Sequence, residues 1–374
     1  MSPPDEANKQ SASQPQRRRY HETPLEERID RSHEAEHVLE LLQKTVAASA
    51  DEKGRSRSKR LLLIEGDAGI GKTWFMEYLQ ERIRTQYPTW YIAPFYELAN
   101  HNPQENGPAA YAAEHFIALD KNPYARFLEV LQRCDRLLQI NGFGELPNPT
   151  PCTVEHAAEW AGILEAVLAE RSNTPLMLFF DDLEWWVGVE GPQRDLLNHL
   201  FRIVWQMLLR QAQLPCIIIG ASRRPPTFSN PMLRLTSTTY KLKGVETTQL
   251  AKLMPDSHWR QLQTYLDQNF DGNPWICQLL TALLSTQPDA WQNGKLSLPA
   301  RQLVFERVVD GRLTPDLSST LYQLAEARPL GFEPEDELLP QAHTTLKKLI
   351  DASFVDFDEA TRRYLVAPVL SGLF

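Results

Sequence analysis

The chain has 374 residues, 39 of them basic and 48 acidic, for a net charge of −9; at roughly 100 to 200 residues per domain, about two or three domains are expected. A hydrophobic share of 42% and a charged share of 23% match an ordinary globular chain and exclude a disordered or low-complexity protein. No apolar stretch approaches the length of a membrane span, there is no apolar leader, and four scattered cysteines (Cys134, Cys152, Cys216, Cys277) form no CxxC pair, so membrane, secreted, zinc-site and disulfide-framework classes are set aside and a reducing cytoplasm is expected.

Residues 1–22 are rich in Ser, Gln, Pro and Arg without apolar periodicity and read as a disordered tail. From Leu25 the pattern is helical, with Val38, Leu39, Leu41 and Leu42 on one side before the polar stretch 50–59. Short unbroken apolar runs follow at 61–64, 90–95, 176–180 and 216–219, with a fifth candidate strand at 240–242. Each is separated by helical patterns, which predicts βαβ units in an α/β, three-layer parallel-sheet core over 23–244. A helical insertion is expected at about 97–172, with one helix carrying Phe127, Leu131, Cys134 and Leu138 and a second over 154–170. Past 245 the strands give way to a small helical unit, 245–299, with Leu250 and Leu253, then Trp259, Leu262, Leu266 and Phe270, then Ile276 to Leu284 behind Pro274. A linking helix from about 300 leads to helices at 317–325, 335–339 and 342–351 and a hairpin (FVDF and YLV), the layout of a winged helix.

Gly66, Asp67, Ala68, Gly69, Ile70, Gly71, Lys72 and Thr73 fit GxxxxGK(S/T) between a predicted strand and a helix with Phe75, Leu79 and Ile83 on one face. Glycines let backbone amides turn toward phosphate oxygens and the helix N-terminus adds its dipole. Lys72 reaches the β/γ phosphates, and the Thr73 hydroxyl ligates Mg²⁺. The run 176–180 ends in Asp181 and Asp182, delivering carboxylates to the carboxyl edge of the sheet. Asp181 is expected to hold Mg²⁺ through water, and Asp182 or Glu184 to orient or deprotonate the attacking water. Arg223, after the strand at 216–219, is placed to stabilise charge developing on the γ-phosphate.

With these motifs assembled, the chain resembles the STAND class of AAA+-related P-loop NTPases, which includes NACHT and NB-ARC proteins, over about residues 25–374. Arg31, Ser32, His33, Glu34 and Glu36 are similar to the class's GRxxE segment, with Asp30 in place of its glycine, and Asp181 to Trp186 to its extended Walker B box. Asp271, Gly272, Asn273, Pro274 and Trp275 are similar to the GxP motif of its helical lid. The resemblance implies ATP or ADP with Mg²⁺ as ligands, Arg31, Trp74 and Pro274 as further nucleotide-binding residues, and 245–299 as the lid. It also implies an ATPase that works as a slow switch, forming a nucleotide-dependent homo-oligomer and acting on an effector or sensor protein in trans in prokaryotic signalling or defence; members of the class usually append sensor repeats or an effector domain, whereas this sequence stops at Phe374, just after the expected winged helix. Where the class often places a histidine against the ADP β-phosphate, this chain reads Val366, Ala367, Pro368.

The alternative is a DNA-binding initiator similar to archaeal origin-recognition ATPases, which join an AAA+ core to a winged helix. Residues 315–374 hold five basic and ten acidic side chains, a net charge of −5, whereas a DNA-reading unit gathers cations. Only Lys347 and Lys348 on the predicted third helix of that unit favour DNA, so DNA is disfavoured as a partner.

Overall fold

The computed structural model describes residues 28–50, 58–92, 96–97, 175–181, 183, 216–223, 231–309, 313–328, 330–352 and 354–374. The tail, most of the expected insertion with its helices at 127–138 and 154–170, and the site candidates Asp182 and Glu184 lie outside the described residues.

A six-stranded, all-parallel sheet forms the core. Its strands are β1 (Leu61–Glu65), β2 (Tyr91–Ile92), β3 (Tyr96–Glu97), β4 (Leu176–Asp181), β5 (Cys216–Ser222) and β6 (Ser237–Lys241), in the order β2-β4-β5-β1-β6 with β3 also paired to β4. β1, β4 and β5 are continuous apolar runs because both their faces are covered. Leu62, Ile64, Met177, Phe179, Ile217 and Ile219 bury one face, together with Ala35, Val38, Leu39 and Leu42 of helix α1 (Ser32–Ala50) and Phe75, Met76, Leu79 and Ile83 of helix α2 (Lys72–Gln86). The alternate residues Leu61, Leu63, Leu178, Phe180 and Ile218 are buried as well, as the two-residue period requires. In-register pairing of Leu61 with Ile218 and of Leu178 with Ile218 brings the carboxyl ends of β1, β4 and β5 to one edge, where open α/β sheets bind ligands.

Two strands differ from expectation. Within the run at 90–95 the described strand is β2, and a second short strand, β3, lies just past it; the two pair with opposite ends of β4. The fifth strand lies at Ser237–Lys241 instead of 240–242, paired with β1 along its length. Lying at the edge of the described sheet and only half covered, it tolerates Ser-Thr-Thr where a central strand needs apolar residues.

Past β6, helix α3 (Pro231–Thr236) having preceded it, the chain forms α4 (Thr247–Leu250) and a 3₁₀ turn (Ala251–Leu253), then α5 (Asp256–Asn269), α6 (Pro274–Thr286) and a hairpin of β7 (Trp291–Gln292) and β8 (Lys295–Leu296). Then come α7 (Leu298–Val309), α8 (Pro315–Ala327), α9 (Ala342–Asp351), the hairpin β9 (Val355–Asp358) and β10 (Arg363–Val366), and α10 (Pro368–Ser371). Residues from Val245 to Leu373 share one buried cluster, so the stretches 245–299 and 300–374 pack as one body. Tyr265 of α5, for instance, donates to the Gly372 carbonyl at 3.2 Å and meets the Trp291 ring edge-on at 4.9 Å. The helix expected at 335–339 is instead a string of turns. Asp336 diverts it, its Oδ1 accepting from the Leu338 amide at 3.0 Å while Oδ2 pairs with Arg328 at 2.7 Å, a local side-chain bond that competes with helix formation.

Candidate functional site

The loop between β1 and α2 turns tightly. Gly69 and Gly71 both adopt left-handed backbone, with φ of 79° and 94°, a region glycine enters at no steric cost. A Cβ on Gly69 would lie 2.7 Å from Trp275 Cβ and 2.8 Å from its Cε3, so this position also admits no side chain.

The outward-facing carbonyls define the loop. Lys72 Nζ donates to the Gly66 carbonyl at 2.8 Å and to that of Asp67 at 3.0 Å. Asn273 Nδ2 donates to the Ala68 carbonyl at 2.8 Å, and the Trp275 amide approaches that of Gly69 at 3.4 Å. Arg31 Nη2 donates to Ile70 at 3.0 Å, and the Phe75 amide closes on Gly71 at 2.8 Å. Each carbonyl from Gly66 to Gly71 therefore has a donor. Because the peptide unit is planar and trans, a carbonyl held outward turns the following N–H the other way. The Gly69 and Gly71 amides are thereby aimed away from Asn273 and Arg31, the arrangement of an anion-binding nest at a helix N-terminus.

Asp181 ends β4 and is 2% exposed, and the Thr73 hydroxyl donates to its Oδ2. A hydroxyl and a carboxylate oxygen in contact beside a phosphate-type nest are hard oxygen donors that suit Mg²⁺, which needs few protein ligands when phosphates and water complete its shell. Beyond β4, the Leu183 amide donates to the Ala221 carbonyl at 2.9 Å, which ties the turn after the strand to β5.

The remaining candidates occupy other places. The Arg31 guanidinium, 2% exposed, is committed to Ile70, to the Lys243 carbonyl at 2.8 Å and to Glu34 at 2.6 Å, bracing the loop from behind. Trp74, on α2, stacks on Tyr78 with ring centroids 5.9 Å apart. Pro274 is buried in the first turn of α6, beside the residues that grip the loop. Arg223, just past β5, is 9% exposed and lies over the Phe354 ring at 5.0 Å, bridging sheet edge and C-terminal body. Ala367 donates its amide to the Phe354 carbonyl at 2.9 Å and precedes α10.

Sequence reasoning quoted Asn273 only as part of a motif. Its cap role was legible, an Asn ahead of Pro at the first helical position, but its grip on Ala68 spans 205 residues and leaves no local signal. The Ser32 hydroxyl and then its amide hold the Asp30 carboxyl below the usual range, and burial pushes the Cys277 thiol up to about 12, so it is no nucleophile.

Residues 40–218 match the family described as AAA ATPase domain. A Walker-type ATPase of Pyrococcus abyssi (paby2304) superposes with a TM-score of 0.53 at 11% identity, covering 94% of this chain and 97% of that one. The fold is that of the P-loop AAA+ ATPases. The ORC2 protein of Aeropyrum pernix, solved in ADPNP and ADP complexes, aligns at a TM-score of 0.47 and 15% identity over 92% of each chain. An uncharacterized protein, R02095, of Rhizobium meliloti (strain 1021) is 24% identical over 282 residues, 68% of this chain and 26% of that protein. The chain thus spans about a quarter of that relative's length. Among the described residues no helix is long and apolar enough to cross a membrane.

Proposed function

We propose that the protein is an ATP-binding, slowly hydrolysing switch of the STAND type, whose nucleotide state governs its assembly with a partner protein. The observation that carries this reading is that one body, 245–374, holds the phosphate loop directly, through Asn273 on Ala68 and Trp275 on Gly69. A nucleotide that reshapes the loop changes the donors this body needs, and a body with a continuous core moves as a unit. In this reading Lys72 leaves the Gly66 and Asp67 carbonyls for phosphate oxygens, and Thr73 and Asp181 hold Mg²⁺, which would neutralise phosphate charge. Asp182 or Glu184 orients the attacking water, and Arg223 exchanges the Phe354 ring for the γ-phosphate. The initiator reading draws on Lys347 and Lys348, both exposed on α9, against the −5 charge of 315–374.

Sedimentation velocity on the full chain with Mg²⁺ and either a non-hydrolysable ATP analogue or ADP tests the switch. A sedimentation coefficient that differs between the two nucleotides, and a difference lost in Lys72→Ala, is the expected result. Two bound states that sediment identically would leave an ATPase without a switch.

A further inference from the structure

Asn273 has two hands, each engaged with a different element. Its Oδ1 accepts from the Trp275 amide at 3.1 Å and the Ile276 amide at 3.3 Å, capping α6. Those two donors fix the amide's orientation, so Nδ2 must face the Ala68 carbonyl, to which it donates at 2.8 Å. The side chain is 2% exposed, and its bond to Ala68 is partly buried. Ala68 itself packs against the buried cluster of the C-terminal body, and the Gly69 backbone lies against the Trp275 ring.

We infer that Asn273 is a positioning residue that couples the phosphate loop to the first turn of α6, holding the Ala68 carbonyl out of the cradle so that the Gly69 amide faces the nucleotide phosphates. The inference rests on the nucleotide-binding reading of the loop and adds to it a control of nucleotide residence by the lid. While the clasp is closed, the loop keeps its anion-binding shape and the lid stays seated. When the lid swings away, Ala68 loses its donor, the 68–69 peptide is free to rotate, and the bound phosphates lose an amide. Nucleotide release and lid opening are then one event.

Asparagine can be changed so that only one hand is lost. Asn273→Asp keeps an oxygen for the Trp275 and Ile276 amides, and its charge suits a helix N-terminus, but it cannot donate to Ala68 and repels that carbonyl. Asn273→Ser keeps a cap acceptor without a charge and is too short to reach Ala68 at the same time. The measurement is stopped-flow release of a fluorescent N-methylanthraniloyl-ADP from the full chain, beside thermal unfolding without nucleotide. Both variants should release nucleotide about 2- to 10-fold faster, the range that one neutral hydrogen bond supports, while remaining folded at the assay temperature with a melting temperature lowered by the loss of the Ala68 bond. Wild-type release rates in a folded variant overturn the clasp. A wild-type chain that binds no nucleotide removes the underlying reading instead. Should neither variant fold, hydrogen exchange on the unmodified chain decides. Adding a non-hydrolysable ATP analogue must slow exchange in the loop peptide and in the 273–277 peptide together, and protection of the loop alone rules the coupling out.

Discussion

Arg31→Ala separates two roles that sequence and structure give the same side chain. The resemblance implies a nucleotide ligand, whereas the structure commits the guanidinium to Ile70, Lys243 and Glu34. Truncation orphans the Ile70 carbonyl, whose bond is fully buried, at a cost of about 1–3 kcal/mol. The Lys243 carbonyl is only partly buried and the Glu34 side chain is 22% exposed, so water replaces much of what they lose, and we allow about 1 kcal/mol more. The sum, about 2–4 kcal/mol, corresponds to a drop of roughly 4–16 °C in melting temperature for a cooperative unit of this size. Calorimetry or circular dichroism on the nucleotide-free chain reads it, with ATP affinity falling as a consequence of the loosened loop. A variant that melts with the wild type yet no longer binds ATP would show that Arg31 touches the nucleotide directly and that the brace is incidental.

Gly69→Ala should destabilise by about 1–3 kcal/mol from its left-handed backbone and further from the contact with Trp275. Gly294→Ala, at φ 78° with nothing within 4 Å, pays the backbone cost alone, so equal thermal shifts in the two variants would refute the contact between Gly69 and Trp275. Asp30, held below the usual carboxylate range by Ser32, contributes stability that is present at neutral pH and is lost as pH falls through its folded-state value. Asp30→Asn should therefore flatten the acid limb of a melting-temperature profile, and an unchanged limb counts against the Ser32 bonds. Fluorescence anisotropy with duplex DNA near physiological salt should show no tight binding, given the −5 charge over 315–374; tight binding with a steep salt slope would promote the initiator.

What was legible in the chain followed from local chemistry. The GxxxxGKT loop declares its turn through its glycines, and the apolar runs that became β1, β4 and β5 declare their burial. The rest failed for identifiable reasons. β6 is a half-covered strand at the edge of the described sheet whose polar Ser237, Thr238 and Thr239 carry no apolar signature, and Asp336 turned the expected short helix at 335–339 into successive turns by accepting from the Leu338 amide. The β7–β8 hairpin was written in plain view as Asn293-Gly294, both with positive φ, the pair that a two-residue primed turn demands, and was overlooked among helical patterns. At the site, the loop was evident while its supports were not. Arg31 meets Lys243 across 212 residues and Asn273 meets Ala68 across 205, distances over which periodicity and spacing carry no information.

Nucleotide binding at the loop of Gly66 to Thr73 underlies every role proposed for this protein, and isothermal titration of a non-hydrolysable ATP analogue with Mg²⁺ into wild type and Lys72→Ala tests that directly. The Lys72 ammonium, 9% exposed and held by two loop carbonyls, is placed for charge-assisted bonds to phosphate, so its loss should weaken binding about 10- to 100-fold. Saturable binding by the wild type with that loss in the variant is the expected result. No heat of binding in the wild type, or equal affinity in both proteins, would contradict it.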